Sequence, residues 1–285
     1  MGIPLRAEDE GENMKRNLII LNPCSGKKRA NRYLTDIVDL FTKEGYMSTV
    51  LTTTARGDGT LYAAQYAGDF DLITCIGGDG TFNEVVSGLL ENDKKVPIGY
   101  IPAGSTNDFA NSLHISRNML QAATDIVEGI PHAFDAGQFN DDIFVYIAAF
   151  GLFTDVSYET NQDLKNILGH AAYILEGTQR LFNIKSYHLR VKGDEHEFNG
   201  EFIFGMVSNS TSVGGFKRLT GPDVMLDDGV FEVMLIRRPK NILELNEIIA
   251  SLLGTSDSKM IEVFKTTGLT VQCEEEVPWT LDGEY

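Results

Sequence analysis

From Met14 to about Ala133, short apolar runs alternate with stretches whose apolar residues recur at helical spacing. Leu18–Leu21 reads as a buried strand, and Arg32–Gly45 places Leu34, Ile37, Val38, Leu40 and Phe41 on one helical face. The alternation continues through strand Tyr46–Thr52, helix Gly59–Ala67, strand Asp71–Ile76 and helix Thr81–Glu91. Strand Pro97–Ile101 and helices Asp108–Leu113 and Met119–Glu128 complete it. Strands separated by helices of this length predict parallel βαβ units in a doubly wound α/β sheet. Ligands of such sheets bind at the carboxyl ends of the strands.

Beyond Ala133 the pattern turns β-rich. Phe134–Phe139, Ile143–Gly151, His188–Lys192, Glu197–Ser208, Val230–Ile236 and Leu269–Cys273 are linked by turns such as Lys192-Gly193-Asp194 and Asp227-Asp228-Gly229. They predict an antiparallel sandwich or barrel, interrupted by helical stretches at Asn161–Asn183 and Ile242–Leu253. The reading is a doubly wound α/β domain over residues 14–133 and a β-sandwich over 134–285. The polar, acidic residues 1–13 read as a disordered extension or tag.

Composition narrows the function. A chain of 285 residues accommodates two cores. No stretch approaches the roughly 18 uninterrupted apolar residues of a membrane span, and the N-terminus has no secretory apolar region. Cys24, Cys75 and Cys273 lack any C-x-x-C partner, which points to reduced thiols in a cytoplasmic protein and away from zinc. The five histidines show no metal-ligand spacing. A formal charge of −17 excludes nucleic acid as a general partner and leaves membrane contact to a local patch.

The chemistry concentrates after three strands. Strand Asp71–Ile76 runs straight into Gly77-Gly78-Asp79-Gly80-Thr81-Phe82-Asn83-Glu84 and a helix. Glycines let backbone approach an anion, the open amides of the helix start favour negative charge, and Asp79 can hold Mg²⁺ beside it. Taken as Gly-Gly alone, the segment would be an ordinary turn. No G-x-x-x-x-G-K-[ST] occurs, and no G-x-G-x-x-G is followed by an acid about twenty residues on, so neither common nucleotide fingerprint applies. Asn22-Pro23-Cys24-Ser25-Gly26-Lys27-Lys28 follows the first strand and reads as a second anion loop or, alone, as an Asn-Pro turn. Pro102-Ala103-Gly104-Ser105-Thr106-Asn107-Asp108-Phe109-Ala110 follows another strand, where Asp108 taken alone is a helix cap.

Together these three segments resemble the diacylglycerol kinase catalytic domain family, especially its soluble bacterial lipid kinases related to sphingosine kinases. NAD kinases share only the glycine loop, and phosphofructokinases pair it with a Thr-Ile-Asp-Asn-Asp motif missing here. The resemblance implies an ATP- and Mg²⁺-dependent kinase that phosphorylates a lipid alcohol such as diacylglycerol. It implies a cytoplasmic enzyme in peripheral contact with the inner membrane face, and a homodimer is compatible with it. ATP would meet Asn22, Pro23, Cys24, Ser25, Gly26, Thr53, Gly78, Asp79, Gly80, Thr81, Phe82, Asn83, Glu84 and Ser105, the last standing where the family usually has Thr. Asp79 and Asp108 would position catalytic Mg²⁺. A second, structural metal would sit at Met225, Asp228 and Val230, which otherwise form an Asp-Gly turn.

Leu281-Asp282-Gly283-Glu284 would supply the general base, with Asp282 ahead of Glu284. Because Tyr285 follows at once where the family has a further strand, the resemblance implies a chain that stops short and an Asp282 free to fray. Helix Asn161–Asn183, with Leu164, Ile167, Leu168, Ala171, Ala172, Leu175 and Leu181 on one face, could meet a membrane, line an acyl cleft or face a core. A small-molecule kinase related to NAD kinases and a non-catalytic nucleotide-binding regulator are the rival readings.

Overall fold

A computed structural model describes residues 14–28, 30–92, 94–104, 107–152, 185–210, 224–252, 254 and 256–282. The chain divides into two compact units. One contains the residues up to Ala110 and His114–Pro131, the other Asn111–Leu113 and His132 onward.

In the first unit β1 (Lys15–Leu21), β2 (Tyr46–Thr52), β3 (Leu72–Gly77) and β4 (Ile98–Pro102) form a parallel sheet in the order β2-β1-β3-β4. Every residue of β3 is buried, as expected of a central parallel strand covered on both faces. Helices α1 (Ala30–Lys43) and α5 (Met119–Glu128) cover one face. Ile37 and Phe41 of α1 and Met119 and Ala122 of α5 pack on Ile19, Leu21, Ile76 and Ile101. Each such Ile, Leu, Phe or Met side chain contributes about 1.5–3 kcal/mol by leaving water. Side chains alternate along a strand, so Leu18, Ile20 and Ile73 serve the other face, where α2 (Asp58–Tyr66) and α3 (Asp79–Leu90) pack together. Their packing is close because Gly88 has no side chain: a Cβ there would lie 2.2 Å from the Thr60 carbonyl oxygen. A short helix, α4 (Asp108–Ser112), follows β4.

The second unit opens with a hairpin of β5 (Gly137–Phe139) and β6 (Asp142–Phe144). Its main sheet contains β7 (Ile147–Gly151), β8 (Tyr187–Lys192), β9 (Glu197–Ser208), β10 (Phe231–Arg237), β11 (Ile261–Thr266), β12 (Thr270–Cys273) and β13 (Trp279–Leu281). The pairs involving these strands are antiparallel, and β9 is the hub. Its first half pairs with β8, which pairs with β12, and its second half lies between β7 and β10. Phe150, Phe202, Val233, Leu235 and Phe264 meet Tyr187, Leu189 and Val191 in a sandwich-like core. On the opposite side Phe204, Met206, Met234 and Ile236 take up Ile248 and Leu252 of helix α6 (Ile242–Leu252). The expected doubly wound domain followed by a β-sandwich is the architecture observed.

Two expectations change. The run 143–151 is two strands, because the Val145 and Tyr146 amides serve the Asp282 carboxylate in place of a ladder. Strands β11 and β13 were not foreseen. The helix expected over 161–183 lies outside the described residues.

Candidate functional site

The sheet order makes the carboxyl ends of β1 and β3 a switch point, where the chain departs to opposite sides. Asn22, directly after β1, joins the two ends. Its amide donates to the Ile76 carbonyl (2.9 Å), its Oδ1 accepts from Cys24 N (2.9 Å), and its Nδ2 donates to Thr81 Oγ1 in the first turn of α3 (2.9 Å). The third loop docks through backbone: Ala103 N donates to the Gly77 carbonyl at 2.7 Å. Gly26 has φ +50°, and a Cβ there would fall 1.8 Å from the Ala103 carbonyl oxygen. A Cβ on Gly104 would fall 2.7 Å from Gly78 Cα. The three loops expected from sequence therefore meet backbone to backbone at one sheet edge.

Helix α3 opens toward this edge. Its N-cap, Gly78, supplies no side-chain bond, so the helix start presents its amides and the positive end of its dipole. Asp79 lies in that first turn and its Oδ1 accepts a long bond (3.4 Å) from Phe109 N at the start of α4. Thr53 is buried, its amide held by the Leu21 carbonyl at 2.9 Å. Asn107, in the left-handed region at φ +51°, locks the third loop by accepting from Gly104 N and donating to its carbonyl, both at 2.9 Å. Asn107 lay inside a motif read from sequence, but only its φ and burial identify it as the loop's fastener.

The side chains of two expected nucleotide contacts also take part in the fold itself. Glu84 accepts from Gly57 N (2.8 Å) and Gly59 N (3.0 Å), so its carboxylate braces the start of α2 behind Thr53. Phe82 stacks on Phe109 with centroids 4.8 Å apart and lies 4.4 Å from the Tyr100 ring, so its side chain is core. Ser105 and the side chain of Asp108 lie outside what the structure describes. Pro23 and Ser25 are half-buried and Cys24 exposed, whereas burial drives the Cys75 thiol well above its ordinary range, with Glu84 and Asp79 adding to the effect.

In the second unit the register aligns a polar row across one end of the sheet. Ser208 of β9 faces both Ile147 of β7 and Glu232 of β10, which faces Lys265 of β11. Asp282, just past β13, donates its amide to the Ile147 carbonyl at 2.8 Å. Its carboxylate accepts from Val145 N (2.7 Å), Tyr146 N (2.9 Å) and Ile147 N (3.0 Å), and it is 5 % exposed. Asp282 is thus tied down where a frayed end was expected. Glu284 lies outside the described residues.

Residues 225–230 lead into the same end of β10. There Asp228 Oδ1 accepts from Val230 N (3.0 Å), and Gly229 N donates to Asp135 Oδ2 (2.6 Å). Met225 is exposed, and Val230 half-buried. Burial raises the Glu232 carboxyl above its ordinary range, against the lowering pull of Lys265, whose Nζ lies 3.4 Å from Oε1. Among the described residues no three or more His, Cys, Asp or Glu gather to hold a metal ion. No described helix is long and apolar enough to cross a membrane.

Comparison with known proteins agrees with this layout. Residues 16–139 match the diacylglycerol kinase catalytic domain, and residues 148–285 match the YegS C-terminal NAD kinase beta sandwich-like domain. A diacylglycerol kinase of Bacillus subtilis is 37% identical, the match covering 95% of this chain and 90% of the relative. One of Staphylococcus carnosus is 34% identical over 95% of this chain and 89% of the relative. The crystal structure of a putative diacylglycerol kinase from Bacillus anthracis superposes with a TM-score of 0.74 at 26% identity, covering 96% of this chain and 92% of that one. With loops, sheet order and relatives in agreement, this chain belongs to the diacylglycerol kinase catalytic domain family and is a kinase.

Proposed function

We propose that the protein transfers the γ-phosphate of ATP to the hydroxyl of a lipid, with diacylglycerol as the substrate. The observation that carries this reading is the meeting of three glycine-bearing loops at the carboxyl edge of β1, β3 and β4, with the open start of α3 among them. Such an edge holds a polyanion through backbone amides. The relatives' names supply the acceptor class.

On this reading residues 14–133 bind ATP, with Asn22–Gly26, Thr53, Gly78–Asn83 and Ser105 around the nucleotide and Glu84 bracing from behind. Asp79 and Asp108 would hold a Mg²⁺, which neutralises charge building on the transferred group. The lipid hydroxyl oxygen forms the new bond to phosphorus as the bond to ADP breaks, and its proton passes to a carboxylate. Asp282, already accepting three amides, suits the role of brace, which leaves Glu284 as the base. Residues 134–285 would take the lipid, presented at a membrane surface that the enzyme meets peripherally.

A second cation fits the turn at residues 225–230. Asp228 offers a carboxylate, Met225 and Val230 offer carbonyls, and a buried acceptor nearby, Asn209 Oδ1, has no partner. ADP release measured with and without diacylglycerol in mixed micelles tests the function. Turnover dependent on the lipid is expected; turnover indifferent to it, or none with the lipid present, overturns the reading.

A further inference from the structure

Among the described residues, three of the buried side-chain atoms left without a hydrogen bond belong to residues close together in sequence or register. They are Ser208 Oγ and Asn209 Oδ1 at the end of β9, and Glu232 Oε2 across the strand pair from Ser208. All three can accept, and two can do nothing else, Glu232 being counted as ionised. An unsatisfied buried acceptor costs about 1–3 kcal/mol, so one beside the 225–230 turn calls for a donor or a hydrated cation.

Asn209 is the informative member. It is 3% exposed, and its backbone amide donates to the Tyr146 carbonyl at 3.0 Å. Its Nδ2 donates to two carbonyls at once, Asp135 O at 2.8 Å and Leu226 O at 3.1 Å. Turning the amide over would set an oxygen against both carbonyl oxygens, so Nδ2 and Oδ1 are fixed in place. The same two segments are further joined by Asp135 N to the Leu226 carbonyl and by Gly229 N to Asp135 Oδ2, both 2.6 Å. Asn209 is therefore the clamp across residues 135 and 226–229, and its Oδ1 is left without a partner. A hard divalent cation keeps several waters, and each bound water has protons to donate outward. Two carboxylates, Asp135 and Asp228, stand on the clamped segments.

We propose that Asn209 is a positioning residue for a hydrated divalent cation at residues 225–230, fastening the turn through Nδ2 and receiving a cation-bound water at Oδ1. The inference rests on the cation reading given above and adds a residue to it.

The test is thermal unfolding of the nucleotide-free protein over a Mg²⁺ titration, with unaltered chain, Asp228→Asn and Asn209→Ala in parallel. The unaltered chain should gain Tm with Mg²⁺, and Asp228→Asn should lose that response. Asn209→Ala should keep it with a midpoint at least tenfold higher in Mg²⁺. A purely structural Asn209 would lower Tm equally at every Mg²⁺ concentration, which overturns the proposal. An unaltered chain with no Mg²⁺ response overturns the cation reading itself, and this proposal with it. Should Asn209→Ala fail to fold, the Asn209 side-chain NH₂ resonances of the unaltered protein decide. They must shift and exchange more slowly as Mg²⁺ is added, and indifference to Mg²⁺ refutes the role.

Discussion

Replacing Gly26 by alanine strikes the contact that holds two of the three loops together. Two effects add. A side chain at φ +50° is disfavoured by about 1–2 kcal/mol. The new Cβ would also stand 1.8 Å from the Ala103 carbonyl oxygen, whereas real contacts begin near 3.0 Å, so one loop must retreat by about 1 Å. Misplacement on that scale lowers turnover by about a hundredfold where aligned phosphates are needed. Gly45→Ala is the control, since Gly45 has φ +80° with nothing within 4 Å of its Cβ position. It carries the backbone penalty and no collision. Tm and kcat/KM for ATP, measured on both variants, separate the effects. Both should lose a few degrees of Tm, and Gly26→Ala alone should lose about two orders of magnitude in kcat/KM. Equal kcat/KM in the two variants would refute the claim that the Gly26–Ala103 contact shapes the active edge.

Glu84→Ala should lower stability by about 2 kcal/mol and raise the KM for ATP with kcat nearly kept, because it frees the Gly57 and Gly59 amides without touching the reacting atoms. Steady-state kinetics showing kcat falling with KM unchanged would return Glu84 to the chemistry. Asp282→Asn sets an NH₂ group among three N–H donors, so Tm should fall by several degrees and hydrogen exchange at residues 145–147 should quicken. A variant with unchanged Tm and no activity would instead mark Asp282 as the base. Asp58 accepts from the Thr54 and Ala55 amides, which holds its carboxyl below the usual range. A lowered folded value means a stabilising contribution present above the unfolded value of 3.8 and lost as pH falls through the folded one. Asp58→Asn should therefore lower Tm at pH 7 and match the unaltered chain near pH 2. Maleimide should label Cys24 more slowly when ATP is bound and leave Cys75 unlabelled in the folded protein.

The first unit was legible because strands β1, β3 and β4 are largely buried apolar runs and helices α1 and α5 carry clean periodicity. Tyr46–Thr52 and Met119–Glu128 have the bounds expected of them. The second unit was harder, since pairing there is decided at long range. Nothing near Val145 says that its amide will serve residue 282, and Trp279–Leu281 is too short to announce itself as a strand. Within the site, the motifs mark the loops and not what each side chain in them bonds to. Glu84 and Asp79 lie in one segment, yet one faces the amides of α2 and the other the start of α4. That distinction depends on helical phase and on neighbours supplied by other segments. Asn209 carried no motif at all, and only its unsatisfied oxygen singles it out.

The bonds between Asp282 and residues 145–147 bear on how the chain folds during synthesis. The contacts described for the first unit are complete once residue 131 has cleared the ribosome, so that unit can form early. Strand β7 obtains its outer partner, and the 145–147 amides their acceptor, only when residues 279–282 emerge. At about 5–20 residues per second β7 waits roughly 7 to 26 s with an open sheet edge. During that interval β7 is a strand seeking a partner, the state in which sheets pair wrongly between chains. Nascent chains stalled at residue 270 should therefore yield a protease-resistant first unit and a digestible second one, and chaperones that shield exposed strands should act on the second half of the nascent protein.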